Sequence, residues 1–324
     1  MKVFITGGGG FLGYRLARTL LARGALAGPD GQAAPITQIK LLDTAFPPET
    51  DSRLQCIQGD LSAPGVIATA LEPDTASVFH LAAVVSAGAE ADFELGMRVN
   101  LDGTRALLEA CRSLERPPRL VYASSVAAFG GELPATLDDS TTPAPQTSYG
   151  TQKVIGEYLI AEYTRRGFVD GRCLRLPTIV VRPGRPNLAA SSFASAMFRE
   201  PLAGVAYECP LPDSTGIWLL SPRKVIEAFV HAHELPPSAW GIKRVLNLPG
   251  ITVTIRQGID ELRRIAGREV ADRVRFKIDP RIKAIVDTWP VRFKTPRAIA
   301  MGFNADPDLA SVIRDHVREQ GIAV

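Results

Sequence analysis

The stretch that decides the fold is KVFITGGGGFLG, residues 2–13, at the amino end of the chain. Its first five residues are rich in β-branched and aromatic side chains, which is typical of a strand. Glycines then recur at Gly7, Gly10 and Gly13, and apolar residues with a helical period follow from Leu16 to Leu21. A strand, a tight glycine turn and a helix in this order predict a dinucleotide-binding unit, with the pyrophosphate on the amides of the helix N-terminus.

The three glycines are assigned separate roles in this turn. Gly7 permits the turn, Gly10 lets the backbone approach the pyrophosphate, and Gly13 packs the helix on the strand. Phe11 and Leu12 complete the entry into the helix and are counted with the predicted cofactor contacts.

A second strand is predicted at residues 39–42, and Asp43 ends it. We expect Asp43 to hold the adenosine ribose hydroxyls and to repel a 2′-phosphate, which favours NAD over NADP. Asp43 lies 30 residues after Gly13, more than the roughly 20 that is typical of the motif. Residues 24–35, rich in Gly, Ala and Pro, are interpreted as a surface insertion that explains the difference. Asp60 is predicted either to meet the adenine or to lie in a helix N-cap region.

A proton relay is predicted further along the chain. Tyr149 and Lys153 are four residues apart, so a helix places both side chains on one face, where the ammonium lowers the pKa of the phenol. Tyr149 would be the general base, and Lys153 would also contact the nicotinamide ribose. Ser125 would hold the substrate oxygen, whereas its neighbour Ser124 is expected to point into the sheet edge.

Composition excludes several classes of function. The 324 residues carry a formal net charge of +3 with no basic block, so neither a nucleic-acid nor an anionic-membrane partner is predicted. The longest apolar runs are strand-sized, and the chain begins directly with a strand, so we expect no membrane span and no signal peptide. Four well-separated cysteines indicate buried thiols in a reducing cytoplasm. No metal site is expected.

Strand-like and helix-like runs alternate through the first half of the chain, which predicts an α/β fold of Rossmann type with a right-handed, doubly wound parallel sheet. A smaller carboxyl-terminal substrate lobe is expected after it. Residues 1–182 form the predicted NAD-binding domain, and 216–250 return to it; 183–215 and 251–324 form the substrate lobe. The runs Trp218–Leu220 and Arg244–Asn247 are interpreted as strands of the main sheet, and Ser221-Pro222 as a helix start.

These motifs together resemble the extended short-chain dehydrogenase/reductase family, the branch that includes NAD-dependent nucleotide-sugar epimerases and dehydratases. The resemblance rests on the glycine turn, Ser124-Ser125, the Tyr149 to Lys153 segment and four further stretches: Asp60-Leu61, His80-Leu81-Ala82-Ala83, Asn100 and Gly103-Thr104. It implies that Leu61, Leu81, Ala82 and Ala83 line the cofactor and that Asn100 braces the active-site strands.

A narrower resemblance, to the D-erythronate dehydrogenases of this family, rests on residues 175–187, 190–193 and 199–202, with Trp289-Pro290 and residues 301–303. It implies NAD-dependent oxidation of the 2-hydroxyl of a small sugar acid. Val126 and Ala127 follow Ser125 where the family's sugar dehydratases carry an acidic residue, so dehydration is not expected. The alternatives are an epimerase of nucleotide sugars and a non-catalytic regulator that senses NAD(P).

The remaining predictions concern the substrate and assembly. Pro177 and Thr178 are expected at the nicotinamide carboxamide. A carboxylate needs cationic or several polar donors, and the candidates are Arg182, Arg185, Ser191 and Ser192, with Ser86 for a substrate hydroxyl. Family likeness predicts a homodimer formed by the helix that carries Tyr149 and the helix before it, through Leu107, Leu108, Tyr158 and Leu159.

Overall fold

The structure is a computed structural model that describes residues 1–28, 31–49, 51–184 and 191–324. In chain order its first elements are β1 (Lys2–Thr6), α1 (Phe11–Arg23), β2 (Ala25–Ala27), β3 (Ala33–Pro35), β4 (Gln38–Asp43), β5 (Leu54–Gln58), α2 (Val66–Ala70), β6 (Thr75–His80), α3 (Ser86–Ala91), α4 (Phe93–Gly96), a π-helical turn (Met97–Asp102), α5 (Gly103–Arg112), β7 (Arg119–Ser125), a 3₁₀ turn (Val126–Ala128), α6 (Ser148–Arg165) and β8 (Asp170–Leu176). Those that follow are β9 (Thr178–Ile179), α7 (Ser192–Leu202), β10 (Tyr207–Cys209), β11 (Gly216–Leu220), α8 (Pro222–Glu234), α9 (Pro237–Trp240), β12 (Val245–Asn247), β13 (Ile251–Thr254), α10 (Ile255–Ala266), α11 (Arg268–Ala271), β14 (Val274–Phe276), α12 (Pro280–Val286), α13 (Pro296–Ala300) and α14 (Leu309–Glu319).

The main sheet has seven strands in the order β12-β8-β7-β6-β1-β4-β5. From β1 the chain adds strands on one side through β4 and β5, then returns to the other side of β1 through β6. The pairs of β1 with β4, β1 with β6, β4 with β5, and β6 with β7 are parallel. The predicted doubly wound Rossmann-type sheet is therefore confirmed, and its topological switch point lies between β1 and β6, where this fold binds its ligands.

The chain folds into two compact units. The first contains residues 1–128, 147–175 and 226–246, and the second contains 129–146, 176–225 and 247–324. The boundary differs from the expected domain limits, chiefly because residues 129–146 and 216–225 group with the second unit. In the first unit, apolar faces of α2, α5 and α6 pack on the sheet in one buried cluster that includes Phe4, Val78 and Leu120.

The prediction that Trp218–Leu220 returns to the main sheet is wrong. This run lies in β11, the middle strand of a separate sheet with the order β13-β11-β9. Leu219 pairs with Thr178 in the parallel ladder and with Ile251 in the antiparallel one. Residues 244–247 do return to the main sheet as β12, and Ser221 caps the following helix by accepting from the Lys224 amide at 3.2 Å.

The second unit has its own core, in which α7, α10 and α14 pack with β11 around Phe193, Met197, Leu219 and Ile313. In the first unit, the expected insertion at 24–35 contains β2 and β3, which form an antiparallel pair. Within the described ranges, no helix combines the length and hydropathy needed to cross a membrane.

Candidate active site

The glycine turn after β1 is shaped by close backbone contacts. Gly7 has φ +71°, and a Cβ atom there would lie 2.7 Å from the Ala82 nitrogen. A Cβ at Gly9 would lie 1.8 Å from the Ala45 oxygen, and one at Gly13 would lie 2.0 Å from the Gly7 oxygen. Gly13 thus brings α1 against the turn itself rather than against the strand. At Gly10 the nearest atom would be 3.3 Å away, so this face of the turn is the more open one.

Asp43 closes the same turn from the end of β4. Its Oδ2 accepts from the amides of Gly9 at 3.0 Å and Gly10 at 3.1 Å, and its Oδ1 accepts from the Thr44 amide at 2.7 Å. The amides predicted to hold a pyrophosphate therefore face an anionic group, as the positive end of a helix favours. The role of Asp43 as a ribose ligand stays a prediction.

Asp60 belongs to a turn after β5. Its Oδ1 accepts from the Ser62 amide at 2.8 Å and the Ser62 hydroxyl at 2.7 Å, and these bonds hold its pKa below the ordinary value. The N-cap of the next helix, α2, is Gly65, so the N-cap reading of Asp60 is wrong. The adenine contact remains a prediction, and the adjacent Leu61 is buried.

A buried histidine at the end of β6 links three elements of the site. His80 Nδ1 lies 2.6 Å from Thr6 Oγ1, and its Nε2 lies 2.9 Å from Thr104 Oγ1. Burial, and secondarily the Lys153 ammonium, lower the pKa of His80 to about 3, so the ring is neutral. Thr6 Oγ1 in turn accepts from the Ala82 amide at 3.3 Å. The sequence places His80 in a motif with Leu81 to Ala83. Its role as a link between Thr6 and Thr104 could not be predicted, because both partners are distant in sequence.

The predicted base and lysine lie at the start of α6. Thr147 caps this helix by accepting from the Gly150 amide at 3.1 Å. Lys153 is 2% exposed, and its Nζ donates to the Ala123 oxygen at 2.8 Å. The same Nζ lies 5.6 Å from the centre of the Tyr149 ring and 4.6 Å from that of Tyr122. Burial lowers the pKa of Lys153 to about 7, and the Glu157 carboxylate opposes this shift.

Ser125 is the last residue of β7, and its Oγ accepts from the Ala127 amide at 3.1 Å. Ser124 does not point into a sheet edge as predicted, since β7 lies inside the sheet between β6 and β8. Its hydroxyl donates to Glu157 Oε1 at 2.5 Å. Alternation along the strand separates the two serines, which leaves Ser125 as the candidate for the substrate oxygen.

Asn100 braces this region through its side-chain amide. Its Oδ1 accepts from the Val84 amide at 2.7 Å, and its Nδ2 donates to the Val84 oxygen at 3.0 Å and to Gln152 Oε1 at 2.7 Å. It therefore ties the segment after β6 to the helix that carries Tyr149 and Lys153, whereas a brace between strands was expected. Ser86, the candidate for a substrate hydroxyl, is the first residue of α3.

The candidate carboxylate ligands lie in the second unit. Arg182 Nη2 donates to Ser191 Oγ at 3.0 Å, so the structure brings these two residues together. Two further residues of α7, which the sequence reasoning missed, hold the Arg182 backbone: its amide donates to Ser195 Oγ at 3.0 Å, and its oxygen accepts from Arg199 Nη1 at 2.9 Å. Their spacing of four residues, 191, 195 and 199, is the signal that could have found them.

The remaining residues predicted to bind the substrate or the nicotinamide lie close to Arg182 in sequence. Ser192 is the first residue of α7, and Ser191 is its N-cap. Pro177 joins β8 to β9, and Thr178 is the first residue of β9. Arg185 lies outside the described residues. Among the residues that the structure does describe, no group of three His, Cys, Asp or Glu side chains could hold a metal ion.

The predicted dimer face needs correction. Leu107 and Leu108 are 0% and 1% exposed and belong to the core under α5, so they cannot form an external surface. Tyr158 on α6 is 68% exposed, and Leu159 is half-buried against the core. A homodimer through this face remains a prediction, with Tyr158 as its large exposed side chain.

Known proteins resemble this chain in sequence and in fold. Residues 3–234 match the NAD dependent epimerase/dehydratase family. The chain is 54% identical to a D-erythronate dehydrogenase of Cupriavidus necator, with both chains covered completely. It is 43% identical to a D-erythronate dehydrogenase of Haemophilus influenzae over 98% of this chain and 99% of that one. A solved nucleoside-diphosphate-sugar epimerase from Agrobacterium tumefaciens shares 37% identity and a TM-score of 0.93, over 100% of this chain and 95% of the other.

Proposed function

Because the chain belongs to the NAD-dependent epimerase/dehydratase family and is an NAD-dependent dehydrogenase, we propose that it oxidises the 2-hydroxyl of a small sugar acid, D-erythronate or a close analogue, to the 2-oxo acid. The observation that carries the proposal is the relay in the first unit. Tyr149 and Lys153 share one face of α6, Ser125 ends the neighbouring strand, and Lys153 is fixed on the Ala123 oxygen.

NAD is the cofactor of this family, and the glycine turn fits it. The contacts of Gly7, Gly9 and Gly13 exclude any side chain there, and a phosphate would be approached by backbone amides of this turn and of the start of α1. Asp43 at the turn would hold the ribose, with Asp60, Leu61 and the segment Leu81–Ala83 toward the adenosine side. When bound, NAD supplies the acceptor for the hydride.

The protein's own groups handle the proton. A free phenol titrates near 10, so Tyr149 needs a neighbouring cation to act as a base near neutral pH. Lys153 provides it: a charged ammonium beside the ring favours the phenolate. Ser125 holds the substrate hydroxyl toward Tyr149, and Asn100 keeps α6 in place through Gln152.

The substrate's carboxylate is assigned to the segment after β9. Ligands of this fold bind beyond the carboxyl ends of the sheet strands, and residues 177–182 leave the carboxyl end of β8. Arg182, Ser191 and Ser192 are the described candidates, with Arg185 as a further one from the sequence; Pro177 and Thr178 are assigned to the nicotinamide side, and Ser86 to a substrate hydroxyl.

Epimerisation of a nucleotide sugar is the second candidate, favoured by the 37% identity to a structure named as an epimerase. The two functions differ in net redox change. We would incubate the pure protein with NAD⁺ and a panel of 2-hydroxy acids and nucleotide sugars, following NADH formation and sugar interconversion. NADH formed with a four-carbon acid supports the dehydrogenase, whereas interconversion of a nucleotide sugar without NADH would replace it with the epimerase.

Assembly and compartment complete the proposal. We expect a homodimer through the exposed side of α5 and α6, as family likeness predicts, with Tyr158, 68% exposed, as the large side chain of that face. We also expect the protein to work in the reducing cytoplasm, where its free thiols stay reduced. Cys111, Cys173 and Cys209 are buried as predicted, whereas Cys56 is exposed, so the prediction of a buried thiol is wrong there.

A further inference from the structure

Glu157 is a buried carboxylate for which the proposed reaction has no role. It follows Tyr149 and Lys153 on α6 at the same interval of four residues, so the three side chains lie along one face of the helix. Glu157 is 3% exposed. Its carboxylate accepts from Ser124 Oγ at 2.5 Å, from Arg175 Nε at 2.8 Å and from Arg175 Nη2 at 2.6 Å. A buried carboxylate is retained only where such bonds replace its hydration.

Two successive contacts join the end of β7 to this face of α6. The Ala123 oxygen accepts from Lys153, and the next residue, Ser124, donates to Glu157. Ser125 follows directly and is the residue assigned to the substrate oxygen. The contact between Ser124 and Glu157 therefore fixes the strand end from which Ser125 projects, relative to the helix that presents Tyr149.

The charges around Lys153 give Glu157 a second role. Neutral groups face the ammonium from the neighbouring strands: burial keeps His80 unprotonated, and it raises the pKa values of the Tyr122 phenol and the Cys173 thiol well above their ordinary range. Arg175 on β8 is positive but is paired with Glu157. Burial lowers the pKa of Lys153, and the negative charge of Glu157 opposes that shift.

We propose that Glu157 is a positioning residue with two functions: through Ser124 it holds the strand end that carries Ser125, and its charge favours the protonated form of Lys153 beside Tyr149. The inference takes Tyr149 as the base of the proposed function, but it concerns the ionisation of the protein's own groups and can be measured without any substrate.

The first test replaces the charge alone, with Glu157→Gln. Without the carboxylate, Lys153 loses its proton at lower pH, and the Tyr149 phenol then needs higher pH to ionise. At an effective dielectric of about 20, loss of a unit charge at a neighbouring helix position raises the pKa of Tyr149 by about two units, and removal of the more distant Glu157 charge lowers it directly by about one, so we expect Tyr149 to titrate about one pH unit higher. Ultraviolet difference titration of the cofactor-free protein, each sequence against its own Tyr149→Phe version, isolates this ionisation. The rising limb of kcat against pH should move in the same direction.

Matched variants separate charge from position. Glu162→Gln removes an exposed carboxylate from the same helix and should leave the titration unchanged. Ser124→Ala removes the contact that holds the strand end but keeps the Glu157 charge. It should therefore lower kcat several-fold without moving the rising limb of kcat against pH. An unshifted Tyr149 titration in a folded Glu157→Gln protein overturns the role of the charge, and an unchanged kcat in Ser124→Ala overturns the positioning role.

A further variant covers the case in which Glu157→Gln, which removes the carboxylate that pairs with the buried Arg175 guanidinium, does not fold. Arg175→Gln retains the Glu157 charge without its neutralising partner, so Lys153 should hold its proton more strongly and Tyr149 should ionise at lower pH. No shift, or a shift to higher pH, overturns the proposal. If the wild-type protein oxidises none of the acids but the titrations shift as described, the proposed function fails while this inference stands.

Discussion

Arg182→Ala tests the substrate class most directly. If Arg182 binds the carboxylate of the substrate, the variant loses a charge-assisted hydrogen bond, which contributes about 1.5 to 3 kcal/mol. This energy corresponds to a rise of roughly 10- to 150-fold in KM for the acid. KM for NAD should stay unchanged, because the predicted cofactor residues of the glycine turn lie in the first unit, far from Arg182 in sequence.

The contacts of Ser191, Ser195 and Arg199 with Arg182, here called the α7 clamp, allow a second measurement of this prediction. Ser195 accepts from the Arg182 amide and Arg199 donates to its oxygen, so both hold the residue without being assigned to the substrate. Ser195→Ala should raise KM for the acid in the wild-type background and have no further effect in the Arg182→Ala background, since residues that act through one another are not additive.

Steady-state kinetics with D-erythronate and with its neutral amide would measure both effects. The amide lacks the charge, so the penalty of Arg182→Ala should largely disappear with it. Arg281→Ala, which removes an arginine whose side chain is 92% exposed in the same unit, is the matched control. A KM for the acid within about twofold of wild type in Arg182→Ala, in a protein that still binds NAD, would refute the assignment.

Four further outcomes are expected. Tyr149→Phe should lower kcat about 10²- to 10⁴-fold with NAD binding retained; turnover within a few-fold of wild type would contradict its role as base. Asp43→Ala should narrow the preference for NAD over NADP, and unchanged KM values for both cofactors would place the ribose contact elsewhere. Tyr158→Arg should dissociate the dimer in light scattering, and a monomeric wild type at micromolar concentration would exclude that face. His80 has a folded pKa of about 3, below its ordinary 6.5; the unfolded chain then binds more protons, so unfolding free energy should fall as pH drops from about 6.5 toward 3. In urea titrations a His80→Gln variant should lose less unfolding free energy over that pH interval than the wild type, and an equal loss would argue against His80 as the cause.

The parts of the fold that the sequence predicted are those specified by local pattern. The glycine turn, Asp43 at the end of β4, and Tyr149 with Lys153 on one helix face all depend on spacings of a few residues. The membership of Trp218–Leu220 in a sheet depends instead on its pairing partners, which lie some 30 to 40 residues away in sequence. A short apolar run indicates a strand and says nothing about its neighbours, so the choice of the main sheet was wrong.

The prediction that Leu107 and Leu108 belong to the dimer face was wrong for a related reason. With Thr104 and Cys111, Leu107 and Leu108 make up a buried helix face of α5, but periodicity cannot tell whether such a face meets the protein's own sheet or a second copy. The structure resolves the ambiguity, since both leucines lie in the core beneath α5. Ser124 shows the same limit: alternation predicts that it and Ser125 point to opposite faces, whereas its partner Glu157 is 33 residues further along the chain.

The proposed catalytic residues and the proposed substrate residues differ in how far sequence can predict them, because they are fixed by different means. Proton transfer requires hydrogen-bond distances between a few defined groups, and one helix with one strand end can supply that geometry within the first unit. Recognition of an acid requires only a cation and polar donors somewhere along a loop, and many residue choices satisfy it. The α7 clamp at 191, 195 and 199 narrows that choice, since three side chains of one helix face contact a single arginine. We therefore expect the family's chemistry to be carried by Tyr149 and Lys153, and the choice between a sugar acid and a nucleotide sugar to be carried by Arg182 and the helix that holds it.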